Sequence, residues 1–152
     1  MTNPFAHFLL VAVVATVTQD GWGLPITIDD DFSTGKDAGW THLEPLASSG
    51  APGTFTFPNG AYRIQASGSP DPTHLGPGRA GSFRYDTYAG IYNLTIDLVG
   101  FDASLNQSIG LLGRMTQPGL GTTSGYALTY STAGSINLSL TKQNAGFWCR
   151  VI

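Results

Sequence analysis

Beyond residue 24 the apolar residues recur at every second position, which is the period of an extended strand. In the segment YNLTIDLV, Leu94, Ile96 and Leu98 alternate with polar residues, and SGYALTYS and SINLSLTK repeat the pattern. This alternation is typical of antiparallel strands that have one face on a core. It predicts about eight short strands, near residues 28–33, 53–57, 60–66, 80–85, 90–100, 107–115, 124–131 and 135–141.

Turn signals separate these segments. PNG at 58–60 and AGS at 133–135 each predict a β-hairpin. The glycine- and proline-rich stretches 68–78 and 117–125 predict loops, and no ten-residue window after the N-terminal run has a helical stripe with caps. Because two sheets must bury each other's apolar faces, this pattern predicts a single all-β domain, an antiparallel β-sandwich.

The N-terminal run FLLVAVVATV, residues 8–17, allows two interpretations. It is shorter than the roughly 20 residues of a membrane-spanning helix but matches the apolar region of a signal peptide. This favours a signal-peptide helix within residues 1–23, cleavage near residues 16–24, and a mature domain over 24–152 that is secreted or held at the cell surface or in the periplasm. The alternative is a buried N-terminal strand, which the absence of Lys and Arg from MTNPFAH supports.

Composition removes several classes of function. The chain has 152 residues, a formal charge of −3 and only two lysines, so the basic surface of a nucleic-acid-binding protein is missing. The segment HLGPGRAGSFRYD carries two glycines five residues apart, but Ser82 follows Gly81 where a phosphate-binding loop needs lysine, and a strand pattern follows instead of a helix. We therefore predict no nucleotide, no nucleic acid and no stable membrane span.

The densest acidic cluster is Asp29, Asp30 and Asp31 in ITIDDDFS. Hard cations such as Ca²⁺ bind several carboxylate and carbonyl oxygens, so these three aspartates are the candidate metal ligands, and Ca²⁺ is the one cofactor that the sequence suggests. The alternative is a solvated strand start with Phe32 pointing inward.

Aromatic rings supply the candidate ligand-binding surface. Trp40, Tyr92 and Tyr126 are rings that can stack on a sugar while a polar group reaches its hydroxyls. The alternative places most aromatic residues of the chain in the core.

The order of motifs also resembles a known superfamily. A DDFS…GW stretch at 30–40 is followed by GTFTFPNGAYRIQA, by GPGRAGSFR, and by the strands YNLTIDLVGFD and SIGLLGRM. This order resembles exported bacterial domains of the concanavalin A-like lectin/glucanase superfamily, which includes laminin-G-like (LamG) modules. The resemblance covers roughly residues 28–141. It implies a jelly roll of two antiparallel sheets with a carbohydrate on the concave face, and it places Arg114 there.

The chain departs from that superfamily in two ways. It has no E-x-D-x-E strand, so glucanase activity is not implied, and it ends soon after INLSLTK, where such domains continue for several strands. This predicts a jelly roll shortened at its C-terminus, because QNAGFWCRVI no longer alternates.

The leading hypothesis is therefore an exported, non-catalytic module that binds a carbohydrate or a cell-surface glycan, with Asp97 and Arg114 bonding hydroxyls beside the stacked rings. One alternative is a glycoside-hydrolase-like enzyme, which needs two carboxyl groups such as Asp97 and Asp102 across one cleft. The other is a structural or assembly domain without a ligand.

Overall fold

The fold is known from a computed structural model that describes residues 13–17, 26–85, 93–98, 100–102, 104–132, 134–142 and 145–150. This part of the chain is mostly β-structure. Its eleven strands are β1 Val13–Val17, β2 Ile26–Asp30, β3 Thr41–Leu43, β4 Gly53–Thr56, β5 Arg63–Ala66, β6 Gly81–Phe83, β7 Asn93–Ile96, β8 Ser108–Thr116, β9 Ser124–Ser131, β10 Ser135–Lys142 and β11 Ala145–Arg150.

Helical structure is confined to short turns in the described residues. They are two 3₁₀ turns and one four-residue helix, at Ala47–Ser49, Pro58–Gly60 and α1 Pro72–Leu75. None of them has the length and apolarity needed to cross a membrane. Over these residues the prediction of an all-β fold class is confirmed.

The strands form four antiparallel sheets. Their orders are β2–β1–β7, β11–β10–β9–β8, β3–β6 and β4–β5. The two predicted hairpins are present: β4 pairs with β5 around PNG, and β9 pairs with β10 around the turn at Gly134. Asn59 and Gly60 have φ of 54° and 74°, the left-handed values that Asn and Gly tolerate best.

The N-terminal segment differs from the helix that we predicted. Residues 13–17 form β1, the central strand of its sheet, with Ala15 opposite Ile28 of β2 and Leu94 of β7. A continuous apolar run cannot distinguish a helix from a buried strand by periodicity, and the valines of VVATV favour extended backbone. Residues 1–12 and 18–25, which contain most of the predicted signal peptide and its cleavage region, lie outside the described residues.

The C-terminal segment also forms a strand that the sequence did not predict. β11 pairs with β10, with Phe147 opposite Leu140, and extends the sheet to four strands. This pairing is local, since Lys142 lies opposite Ala145, but the last ten residues lack the apolar alternation from which the other strands were predicted.

An aromatic cluster forms the core around the β4–β5 hairpin. Phe32, Tyr62 and Ile64 are almost completely buried, and Trp40, Phe55, Phe57 and Ala80 pack against them. The Tyr62 ring stacks on Phe57 at a centroid distance of 5.0 Å and lies 4.6 Å from Phe32. Phe32 has φ of 53°, and its N–H donates to Asp30 Oδ1 at 3.1 Å, which fixes this uncommon conformation.

Candidate functional site

Three large side chains lie exposed on one face of β9. Tyr126, Leu128 and Tyr130 are 48%, 43% and 36% exposed, whereas Ala127 between them is 8% exposed. We call these three residues the β9 strip. The predicted alternation is present, but the expectation that its large residues face a core is wrong for this strand. On β9 itself the covered residue is the small Ala127, but neither face of the β8–β9 pair is uniformly covered. Ile109, opposite Tyr130, is 3% exposed, and Leu112, opposite Ala127, is 45% exposed.

The neighbours of the β9 strip shape it. Gly113 of β8 lies directly opposite Tyr126 and contributes no side chain beside it, and Tyr126 is the most exposed residue of the strip. At the other end, the Phe101 ring meets the Tyr130 ring edge-to-face at 5.8 Å. Within the strip, Tyr126 is therefore the most exposed ring, and the Tyr130 ring is held by its contact with Phe101.

A β-bulge that contains Arg114 lies next to the Gly113–Tyr126 pair. The β8–β9 register shifts between Gly113 and Thr116, and Arg114 has φ of 50°. Gly125 of β9 allows the bulge because a Cβ there would lie 2.9 Å from the Gly113 carbonyl oxygen. Bulges re-aim side chains at sheet edges, and β8 is an edge strand. Arg114, a predicted site residue, thus follows directly after Gly113, the residue opposite Tyr126, and lies in the bulge opposite Gly125.

The other predicted ligand-binding residues lie elsewhere. Trp40 packs on Phe32 at 5.7 Å in the core cluster, and its Nε1–H donates to Asp30 Oδ2 at 2.8 Å. Asp97 is exposed just after β7, and Tyr92 lies outside the described residues. Trp40 therefore belongs to the core cluster and does not extend the β9 strip as the five-residue prediction required.

The three consecutive aspartates make separate contacts instead of sharing one site. Asp30 accepts hydrogen bonds from Phe32 and Trp40, and Asp31 Oδ1 accepts one from the Ser33 N–H at 2.9 Å. The bond from Ser33 holds the pKa of Asp31 below its ordinary value. Asp29 is exposed at the end of β2. Among the described residues, no group of three or more Asp, Glu, His or Cys side chains is placed to hold a metal ion. The structure thus does not gather the predicted calcium ligands.

The carboxyl groups that a glycosidase would need are also engaged in local structure. Glu44, the single glutamate of the chain, accepts a hydrogen bond from the Gly53 N–H at 2.6 Å. Asp102 Oδ1 accepts from the N–H and hydroxyl of Ser104 at 2.9 and 2.6 Å, which closes a turn.

A second group of polar side chains connects the β3–β6 pair to the core. Asp37 Oδ2 lies 2.6 Å from His42 Nε2 and accepts a hydrogen bond from the Tyr62 hydroxyl at 3.0 Å. The Tyr62 hydroxyl is in turn 2.5 Å from Ser82 Oγ. We call Asp37, His42, Tyr62 and Ser82 the Asp37 network. His42 and Ser82 are cross-strand partners, which places them on one face of β3–β6.

The chemistry of these groups fixes the direction of the hydrogen bonds. Partial burial raises the pKa of the Asp37 carboxyl, but hydrogen bonds from His42 and Tyr62 outweigh it, so this pKa lies below its ordinary value. An ionised carboxylate only accepts, so His42 Nε2 is a donor. The Tyr62 hydroxyl donates its one proton to Asp37 and therefore accepts a hydrogen bond from the Ser82 hydroxyl. Burial, reinforced by the Asp37 charge, raises the pKa of Tyr62 well above its ordinary range.

The raised pKa of Tyr62 predicts a loss of stability at alkaline pH. An unfolded tyrosine ionises near pH 10, whereas the folded Tyr62 keeps its proton. The contribution of Tyr62 to the free energy of unfolding is thus fully present below about pH 10 and is lost as pH rises through the pKa of the folded state. We expect urea unfolding between pH 8 and 12 to show a smaller pH-dependent decline for Tyr62→Phe than for the wild type. If the free energy of unfolding falls equally with pH in both proteins, Tyr62 is not the source of the alkaline destabilisation.

Sequence reasoning did not identify the Asp37 network. The hydrogen-bonded pairs within it are separated by 5, 20 and 25 residues along the chain. His42 lacks the short-range spacing of a metal or catalytic motif, and only the pairing of β3 with β6 brings it opposite Ser82. No signal in a single sequence carries that pairing.

Comparison of the chain with protein-family models, with curated proteins and with solved structures gives no match.

Proposed function

We propose that this protein is an exported module that binds a neutral polysaccharide chain along the β9 strip without cleaving it, and that its sheets pack as a concanavalin A-like jelly roll. The observation that carries the proposal is the exposure of Tyr126, Leu128 and Tyr130 on one face of a regular strand. Exposed tyrosine rings offer apolar area with a polar tip, the combination suited to a sugar ring.

The dimensions of the strip favour a chain over a single sugar. Tyr126 and Tyr130 are four residues apart, which is about 13 Å along a strand. One sugar ring does not span that distance, so simultaneous contact with both rings needs several linked sugars. Gly113 leaves room beside Tyr126, and the formal charge of −3 disfavours an acidic polymer. Arg114 at the bulge is the group proposed to bond sugar hydroxyls.

Loss of the two rings should weaken binding. We expect Tyr126→Ala and Tyr130→Ala each to lower affinity about tenfold, which corresponds to about 1.4 kcal/mol for a lost stacking contact. The measurement is depletion of the protein from solution by insoluble cellulose, chitin and xylan. The matched control is Tyr85→Ala, because Tyr85 is 75% exposed but follows β6, outside the strip.

Two results would contradict this proposal. One is unchanged retention of the Tyr126→Ala, Tyr130→Ala double variant on a polysaccharide that retains the wild type. The other is wild-type protein, folded by circular dichroism, that none of the polysaccharides retains.

Export is part of the same proposal and has its own measurement. Removal of residues 1–23 would leave β2 and β7 without the strand between them. The intact mass of the exported protein shows whether the chain begins near residues 16–24 or retains β1.

A further inference from the structure

We propose that His42 is a general base that activates water for the hydrolysis of a carboxylic ester at the exposed end of the Asp37 network. This activity is separate from the polysaccharide binding proposed for the β9 strip. It is inferred from how the imidazole is held and from the groups that share its face of β3–β6.

The imidazole of His42 is oriented and accessible at the same time. Its ring lies parallel to the Phe55 ring at 3.6 Å, with 7° between the planes, and its Nε2–H is bound to Asp37 at 2.6 Å. The side chain is nevertheless 40% exposed. Donation from Nε2 leaves Nδ1 as the nitrogen with a lone pair, and a carboxylate that fixes the tautomer in this way stabilises the imidazolium formed during proton transfer.

The rest of the network supports Asp37 and does not compete for the base. Tyr62 is buried and donates to the same oxygen of Asp37, so the carboxylate stays charged and fixed. Ser82 directs its proton to the Tyr62 hydroxyl and not to His42, so water, not Ser82, is the nucleophile. Asp37 is thus a positioning residue, and His42 is the group that contacts the reacting atoms.

A positive charge lies on the same face. The Arg84 guanidinium is 5.9 Å from the Trp40 ring centroid and packs against Gly39, where a Cβ would come within 3.2 Å of its nitrogens. Thr41 pairs with Phe83, so Trp40 and Arg84 extend the β3–β6 pair next to His42 and Ser82. A guanidinium at this position favours the negative charge that develops on an ester carbonyl oxygen.

The reaction balances with these groups and water alone. His42 Nδ1 takes a proton from water while the water oxygen adds to the carbonyl carbon, and the carbonyl π electrons move to its oxygen. When this intermediate collapses, the bond to the leaving oxygen breaks and the imidazolium returns its proton to that oxygen. The products are a carboxylic acid and an alcohol, and the imidazole is neutral again.

The test uses p-nitrophenyl acetate and a built-in control. His74 also pairs with a carboxylate, its Nδ1 lying 2.8 Å from Asp71 Oδ2, but its side chain is 79% exposed, and no ring of the described residues stacks on it as Phe55 stacks on His42. We expect His42→Ala and His42→Gln to lower the hydrolysis rate about a hundredfold, free imidazole to restore part of it in His42→Ala, and His74→Ala to match the wild type.

Asp37→Asn gives a readout that a purely structural role would not change. Without the carboxylate the Nε2–H of His42 loses its acceptor and the imidazolium loses its stabilising charge, so kcat should fall about tenfold while KM stays unchanged, and Asp37→Glu should restore part of kcat. The proposal is overturned if folded His42→Gln hydrolyses the ester as fast as the wild type, or if His74→Ala loses as much as His42→Ala. Polysaccharide retention by the same variants should be unchanged, so failure of the two proposals can be distinguished.

Discussion

Tyr62→Ala is expected to lower the free energy of unfolding by about 3–5 kcal/mol. The Tyr62 ring is 1% exposed and contacts the rings of Phe32, Phe55 and Phe57. Truncation removes the central ring of this cluster and leaves a cavity that the surrounding strands close only partly. Urea unfolding followed by tryptophan fluorescence measures the change, because Trp40 packs against the same cluster.

Two further variants separate the contributions of Tyr62. Tyr62→Phe keeps the ring but removes the hydroxyl that donates to Asp37, so it should cost about 2 kcal/mol, typical of a hydrogen bond to a charged group. Tyr85→Ala removes an exposed ring and should change stability by less than about 0.5 kcal/mol. Equal costs for Tyr85→Ala and Tyr62→Ala would contradict the assigned core.

Gly78→Ala is the second substitution with a large expected effect. A Cβ on Gly78 would lie 1.9 Å from the Ser67 carbonyl oxygen and 3.3 Å from the Ser69 nitrogen. These contacts are with backbone, which cannot move aside as a flexible side chain can. We expect the free energy of unfolding to fall by about 3 kcal/mol or more, at the upper end of the usual cost of overpacking.

The control for Gly78→Ala is Gly50→Ala. Gly50 has φ of +85°, and a Cβ on it would have no other atom within 4 Å, so alanine there meets only the backbone cost of about 1–2 kcal/mol. If Gly78→Ala costs no more than Gly50→Ala in the same urea experiment, the close approach between residues 67 and 78 is wrong.

Side-chain alternation was enough to predict the strands that carry it. The predicted segments near 53–57, 107–115, 124–131 and 135–141 correspond to β4, β8, β9 and β10. The same reasoning gave β1 only as the alternative to a signal-peptide helix, because a continuous apolar run has no period of two. It missed β3, because three residues are too few to show a period.

Alternation could not reveal which face of a strand is covered. Tyr126 and Ala127 lie on opposite faces of β9, as predicted, but burial of Ala127 and exposure of Tyr126 depend on what packs against each face. Alternation within one strand carries no information on such packing. For the same reason the Arg114–Tyr126 neighbourhood was only partly predictable, since the bulge at Gly113 and Gly125 arises from pairing between strands.

The Asp37 network shows the limit most clearly. Asp37 and His42 are five residues apart, but a buried tyrosine and a serine from distant parts of the chain complete the arrangement. Their convergence depends on tertiary packing of the Tyr62 ring beside the β3–β6 pair. A sequence motif identifies residues that lie close together because they are near in the chain. The Asp37 network is instead brought together by tertiary contacts, so no motif reveals it.

The most direct test of the central claim is an amide NMR titration of ¹⁵N-labelled protein with a soluble fragment of a polysaccharide that retains it. If the β9 strip is the binding surface, the largest chemical-shift changes fall on residues 124–131 of β9 and on the facing positions 111–116 of β8. Changes confined to residues 37–42 and 81–85, with β9 unperturbed at saturating ligand, would contradict it.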